Sequence, residues 1–509
     1  MRRRYGRLVA AATAVCLIAL LAVPMIAGAG EVDAQQVITI YPDAYESDDT
    51  SATAKMLPNA SYHTISSYTD TDWMKFSVAA TGTPYIFETQ MYGGNEDCDL
   101  YMYLYQLNPD GTLTTLDSSD DHGYWESYSE YIVWEAPAPG TYFLEVCGIS
   151  EGETGNYMLY WDDGYARRIA GADRYKTAVE VSKVMNQMHD IYLSWDFYTE
   201  GVVITSGLNP ADALAGGVLA AAVDGPMLLS GAMGLSAETR AEIGRVIRPE
   251  IYYQNDPMTI YILGSTAAVP SAVEAQLRAI PEVAAGIKDE VLEIVRVGGD
   301  NRYETAAMVA AEIDDIYGLG SRAYIVGGTA WADGIAVSPP AIYNESPILL
   351  TAQSALSEDA VSAIDDLGIT EAIIIGGPTV VSAAVETALD AKLGVGNVRR
   401  IAGDNRYETA MLVAMHAVDD VWMDGDSCIL ASGANWPDAL VAGPMSYSLN
   451  GGYGTSTPIL LTRPDMLSGE VVSFFTEYGQ PTDLCYVVGG TPAVSAATLN
   501  AFNAMRIAD

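Results

Sequence analysis

The chain has 509 residues, half of them hydrophobic, and a formal net charge of −41 from 66 acidic against 25 basic side chains. That length predicts about three to four domains, and that composition excludes wholesale disorder. The charge excludes a nucleic-acid partner, because a phosphate backbone is bound by a basic face.

Arg2, Arg3, Arg4 and Arg7 precede an apolar run from Leu8 to Gly28, broken by Pro24. Ala27-Gly28-Ala29 offers a small-residue cleavage site and Val32-Asp33-Ala34 a second. This pattern reads as a secretory signal peptide over residues 1–29, or to 34. An uncleaved anchor is the alternative, because the run approaches spanning length. No other segment is apolar enough to span, so the expectation is export to the cell surface with no stable membrane anchor. The last residues, Ala504 to Asp509, carry no sortase-type motif and no hydrophobic tail. The exported chain is therefore expected to be released or held non-covalently.

Residues 31–166 hold 24 acids and only Lys55 and Lys75 as bases. Strand-like alternation runs through Trp73–Val78, Tyr101–Tyr105 and Tyr142–Val146, and turn signals such as Asn108-Pro109-Asp110-Gly111 separate the runs. Short strands so punctuated predict an all-β sandwich over residues 40–163. Loop carboxylates gather at Asp43, Glu46, Asp48 and Asp49, at Asp70 and Asp72, and at Asp97 and Asp99. They admit two readings, a calcium site, since Ca²⁺ takes six to eight oxygens, or a solvated acidic surface. The run from Asp43 to Ala54, then Asp70-Thr71-Asp72-Trp73, then Pro139-Gly140-Thr141-Tyr142 resembles the bacterial pre-peptidase C-terminal domain. That resemblance implies a β-sandwich appended to secreted and surface proteins, with Ca²⁺ bound in some members. Its partner is left open between an extracellular protein and a carbohydrate.

The remaining chain repeats itself three times. Arg168 to Ala178, Arg296 to Ala306 and Arg400 to Ala410 share the pattern Arg-x-x-Gly-x-x-Arg-Tyr-x-Thr-Ala. In each copy a β-like run follows, then a matched acid (Asp212, Asp333, Asp438), a Pro-led strand (Pro226, Pro347, Pro458) and a Leu-Ser helix start. Another buried strand then ends in glycine, and a last helix begins near Ser271, Ser382 or Ser495. Unbroken β-branched runs alternating with amphipathic helices predict parallel sheets covered on both faces. This order of motifs resembles the cell wall-binding repeat of clostridial and other Gram-positive surface proteins, which carry three tandem copies. The resemblance implies non-covalent attachment to an anionic secondary polymer of the wall. The expected architecture is multidomain, with the all-β sandwich followed by three α/β repeats, Rossmann- or Toprim-like, at 167–290, 295–395 and 399–509 in a pseudo-threefold arrangement.

Within the opening motif, Asn301 and Asn405 with Glu304 and Glu408 fit a capping box. Copy one keeps Asp173 as the cap but has Lys176. Arg174, Arg302 and Arg406 then fall at the first helical position, where a cation opposes the helix dipole and wants an anion. Either a ligand phosphate or carboxylate supplies it, or Asp212, Asp333 and Asp438 do. Arg168, Arg296 and Arg400 stand between the same alternatives. Asp212, Asp333 and Asp438 follow strand ends, where open α/β sheets place ligands, or else cap helices. Trp331 and Trp436 stack on sugar rings if exposed and are core if buried; copy one has Pro210 there.

Among the chemistry-bearing residues, His189 and His416 read as surface or packing positions. Cys98 with Cys147 and Cys428 with Cys485 form two disulfides or remain buried thiols. No HExxH, GxSxG or CxxC occurs. The expectation is a non-enzymatic surface protein; the alternative is a secreted hydrolase or protease-associated protein acting on wall or protein substrates.

Overall fold

The computed structural model describes residues 45–505 apart from 46, 58–59, 68, 80, 82–83, 93–98, 120–129, 149–153, 163, 193–198, 249–256, 424, 449–455 and 480–484. The expected signal peptide, Asp43, Glu46, Asp97 and Cys98 lie outside the described residues.

The N-terminal region is built from strands β1 (Lys55–Met56), β2 (Ala60–Ile65), β3 (Thr71–Val78), β4 (Pro84–Tyr92), β5 (Leu100–Leu107), β6 (Leu113–Ser119), β7 (Tyr131–Glu135), β8 (Gly140–Gly148) and β9 (Gly155–Asp162). One sheet has the order β1-β3-β8-β5-β6 and the other β2-β9-β4-β7. All pairs are antiparallel except β1 with β3. Burial alternates along β3 and β5, as a sheet with one covered face requires. Met74, Phe76, Leu104 and Leu144 from the first sheet share one core with Phe87, Ile132 and Leu159 from the second.

The rest of the chain alternates strands and helices. The first stretch runs β10 (Ala166–Ile169), α1 (Arg174–Tyr192), β11 (Gly201–Ser206), α2 (Gly216–Ala222), β12 (Met227–Ser230), α3 (Ala237–Val246), β13 (Met258–Leu263), α4 (Ala272–Arg278) and α5 (Pro281–Lys288). The second runs β14 (Leu292–Val297), α6 (Arg302–Tyr317), β15 (Arg322–Gly327), α7 (Trp331–Ala336), α8 (Ser338–Tyr343), β16 (Ile348–Thr351), α9 (Glu358–Asp366), β17 (Glu371–Ile375) and α10 (Ala383–Leu393). The third runs β18 (Val398–Ile401), α11 (Arg406–Val421), β19 (Ile429–Ser432), α12 (Trp436–Ser448), β20 (Ile459–Thr462), α13 (Gly469–Tyr478), β21 (Cys485–Val488) and α14 (Ala496–Asn503). The inner strands β11, β13, β19 and β21 are buried at every residue, β15 and β17 at all but the first, and the edge strands β12, β16 and β20 are buried throughout, as parallel sheets covered on both faces demand. Ser236 and Ser357 cap their helices through their hydroxyls, while the Ser468 hydroxyl turns to the Leu461 carbonyl instead.

The sheet orders are β12-β11-β13-β14, β16-β15-β17-β18 and β20-β19-β21-β10, every pair parallel. Each opening strand therefore completes the sheet of the preceding repeat, and β10, which opens the first, completes the third. The repeat as it is read along the chain and the sheet as it folds differ by one strand. Opening helices follow the same cycle: α6 packs on α2, α11 on α7, and α1 on α12. At matched positions Gly217, Ser338 and Gly443 meet where the three repeats converge, and a Cβ on either glycine would run into the Ser338 hydroxyl.

Candidate functional site at the junctions between repeats

The opening motif builds one local structure three times. Asn301 Oδ1 accepts from the N–H groups of Tyr303 and Glu304, and Asn405 Oδ1 from those of Tyr407 and Glu408. Asp173 does the same for Tyr175 and Lys176. Glu304 and Glu408 reach back to the N–H of Asp300 and Asp404, one residue before the cap, rather than to the cap itself. Lys176 turns away to Glu238 on α3. The threonine of the motif accepts from a glycine N–H at 3.1 Å in each copy, Thr177 from Gly171, Thr305 from Gly299 and Thr409 from Gly403.

Behind the cap, each guanidinium donates to the carbonyl of the glycine just past the strand that follows its own helix (β11, β15 or β19). The bonds are Arg174 to Gly207 at 2.6 Å, Arg302 to Gly328 at 2.5 Å and Arg406 to Gly433 at 2.7 Å. The neighbouring tyrosine ring lies against that same glycine, leaving no room for a Cβ.

Across the junction stands the acid of the preceding repeat. The Asp212 carboxylate meets the Thr305 hydroxyl and the Arg302 charge, Asp438 meets Thr177 and Arg174, and Asp333 meets Arg406. Burial pushes all three carboxyls above their ordinary range against the pull of the facing arginine, and Asp333 reaches about 6. Each carboxylate also packs against a left-handed glycine at a strand end, Gly264 (φ 104°), Gly376 (φ 99°) or Gly489 (φ 119°). A side chain there would meet the carboxylate as well as backbone strain. The tryptophans join the same cluster: Arg406 lies 5.0 Å over the Trp331 ring and Arg174 5.8 Å over Trp436. Both rings are half-buried. The sequence left the arginine and tryptophan roles open, and the structure brings Arg and Asp together across each boundary, with Trp at two of the three, rather than within a repeat.

The earlier arginine of the motif sits elsewhere. Arg168, Arg296 and Arg400 donate to the carbonyls of Gly489, Gly264 and Gly376 in the adjacent strand. Arg296 pairs with Glu274 and Arg400 with Glu386. Leu499 holds the matched place in the third repeat. Burial lowers the pKa of Arg168. These arginines tie each opening strand to the sheet it completes.

Sequence reading missed a network at the junction of the second and third repeats. Buried His416 contacts Tyr324 Oη at 3.1 Å through Nε2, and Asp420 at 2.8 Å and Arg399 at 3.0 Å through Nδ1. Only the contact across repeats makes it a site, and no spacing signals that. Among the described residues no three His, Cys, Asp or Glu side chains are grouped to hold a metal. Of the calcium candidates, Asp70 accepts from the Ser66 N–H and Asp72 from the Tyr157 hydroxyl. Asp48, Asp70 and Asp72 are buried, Asp99 is half-buried and Asp49 is exposed. The solvated-surface reading fails for the three buried acids. Cys428 stands opposite Cys485 on the neighbouring strand, with its N–H 3.2 Å from Cys485 Sγ, and no disulfide joins the described cysteines.

A family model described as cell wall binding domain 2 matches residues 168–274, 296–386 and 400–499. The chain belongs to the cell wall binding domain 2 family. A second model, the bacterial pre-peptidase C-terminal domain, matches residues 70–148. Among curated relatives, the N-acetylmuramoyl-L-alanine amidase LytC of Bacillus subtilis (strain 168) is 28% identical over 338 residues, covering 66% of this chain and 58% of the relative. The amidase enhancer of the same organism is 24% identical over 355 residues, 69% of this chain and 42% of the relative. The chain thus spans about half the length of the curated relatives it matches, and the amidase match lies over the cell wall binding domain 2 region. Two solved structures share the fold. Cwp8 from Clostridium difficile has a TM-score of 0.53 at 24% identity, covering 67% of this chain and 52% of that one. Cwp6 from the same organism has a TM-score of 0.54 at 19% identity, covering 85% and 68%.

Proposed function

We propose that this is an exported surface protein held non-covalently to an anionic secondary polymer of a Gram-positive wall by its three repeats. The family match over all three copies carries this reading. The same reading takes the three parallel sheets as Rossmann- or Toprim-like units about a pseudo-threefold axis, and the N-terminal sheets as a sandwich displayed to an extracellular protein or carbohydrate. It assigns the chain no catalytic role, since the amidase likeness is confined to the wall-binding part.

Arg174, Arg302 and Arg406 are the proposed polymer contacts. A guanidinium has five N–H donors, and a single carbonyl bond leaves others over. Asp212, Asp333 and Asp438 hold these groups in place, and Trp331 and Trp436 support two of them. Arg168, Arg296 and Arg400 contribute by fixing the sheet edges beside the junctions. Retention of the protein on wall sacculi, before and after removal of the secondary polymer, tests the anchoring. Loss of retention on removal is expected, and unchanged retention overturns it. Replacing Arg174, Arg302 and Arg406 together by Gln is expected to weaken retention while the far-UV spectrum and melting cooperativity persist. Loss of the fold instead would give these arginines a purely internal role.

A further inference from the structure

The cations of the repeats are nearly all committed. Lys176 pairs with Glu238, Arg245 with Glu242, Arg322 with Glu371, Lys392 with Asp365 and Arg399 with Asp420. Among the described residues of the repeats, the side chains of Arg240, Arg248 and Arg278 carry neither a hydrogen bond nor an ion pair, and all three are exposed. All three belong to the first repeat. In a chain of net charge −41, three unpaired arginines in one repeat are not explained by internal pairing.

Arg240 lines a groove, and Arg278 and Arg248 lie beside that groove in sequence. Arg240 and Arg245 line an open groove of about 440 Å³ between α3 and the start of α5, together with Gly244, Ile280, Pro281 and Glu282. Arg278 ends α4, immediately before the lining residues Ala279 and Ile280, and Arg248 follows α3 by two residues. Arg245 spends two donors on buried Glu242, which fixes its guanidinium at the rim. The α5 N-terminus opens on the same groove, with Pro281 in its first turn and no side-chain cap from Ile280. The positive end of its dipole therefore adds to the arginines. Glu282 is the opposing charge: its carboxylate lies over Gly244, where a Cβ would meet it at 2.8 Å. The second and third repeats have no counterpart of α5 among the described residues, because α10 leads directly to β18 and α14 is the last helix.

We propose that this groove is an anion site, unique to the first repeat, that takes a phosphate or carboxylate group of the wall polymer. The site rests on the wall-anchoring reading above and adds to the three junctions a contact that breaks their equivalence. It sets one register for the polymer on the ring, with Glu282 as the lining charge that opposes an incoming anion.

The test uses the full chain and sacculi with and without the polymer, over a range of salt concentrations. The double variant Arg240→Gln/Arg278→Gln is expected to bind polymer-bearing sacculi about tenfold more weakly, the scale of a lost charge-assisted contact, with a shallower salt dependence. Its melting temperature should match the wild type, because both side chains are exposed and unpaired. Glu282→Gln should bind more tightly than wild type. Polymer-dependent retention that the double variant leaves unchanged overturns the groove alone. Wild-type retention that ignores polymer removal overturns the anchoring reading and this site with it.

Discussion

Asp333 sits where a carboxylate is held against the low polarity of a junction, and the Arg406 charge only partly offsets the burial. Its pKa of about 6 in the folded chain stands above the 3.8 of a free aspartate. The folded state therefore binds the proton more tightly than the unfolded state. The stability this contributes is complete below pH 3.8 and is lost as pH rises through about 6. A shift of about two units amounts to at most about 3 kcal/mol. Asp333→Asn is accordingly expected to gain stability relative to wild type between pH 4 and pH 7.5, as read by denaturant unfolding at each pH. An equal difference at both pH values would sink this assignment. Burial holds His416 below its usual range and acts in the opposite sense over nearby pH, so the comparison with Asn, not the wild-type curve alone, isolates Asp333. At this scale the sequence showed which residues recur: the threefold spacing of Arg174, Arg302 and Arg406 and of the matched acids is plain in it. Which repeat each one faces was not legible, because motif spacing reports position along the chain and not the partner across a boundary.

The elements themselves were largely readable. Runs such as Val202–Ser206 and Ile373–Ile375 became buried parallel strands, and the Asn caps fell at the starts of α6 and α11. What periodicity does not carry is the sheet edge on which a strand lands. The short runs at Ala166–Ile169, Val398–Ile401 and Leu292–Val297 each look like the first strand of their own repeat, yet each is the last strand of another. The handover makes β10 an edge cover for β21, joined over four residue pairs from Ala166–Cys485 to Ile169–Val488. Uncovered parallel edges expose unpaired backbone groups and invite association. Two truncations test the dependence, one starting at Gly164 and retaining β10, the other starting at Ala172 and lacking it. The shorter one is expected to lose amide-exchange protection at Cys485–Val488 and to self-associate by light scattering. Equal protection in both would mean that β21 is stable without its neighbour.

Closure changes what a single repeat is. Three sheets that each borrow a strand, and three opening helices that each pack on a neighbour, tie the repeats into a shared core, beside which the second repeat keeps a smaller cluster of its own from Ala310 to Leu389. One hydrophobic cluster accordingly runs through all three, from Val203 and Ile262 through Val326 and Ile375 to Ala431 and Val488. Such coupling should make the repeats unfold as one unit, unlike open solenoids in which each repeat contacts only its neighbours in sequence. The point of convergence offers the sharpest test. Gly217, Ser338 and Gly443 meet there with no space for another Cβ, so Gly443→Val must force the three helices apart. Overpacking of this kind costs about 1–3 kcal/mol, and valine puts a β-branched side chain beside Pro444, which lies inside the same helix. If the ring is one cooperative body, calorimetry should show a single repeat transition moved to lower temperature, and amide exchange should rise in β11 and β15 as well as β19. A variant that loosens β19 alone, with the other two sheets as protected as in the wild type, would mean that the repeats fold independently and that their exchanged strands only staple them together.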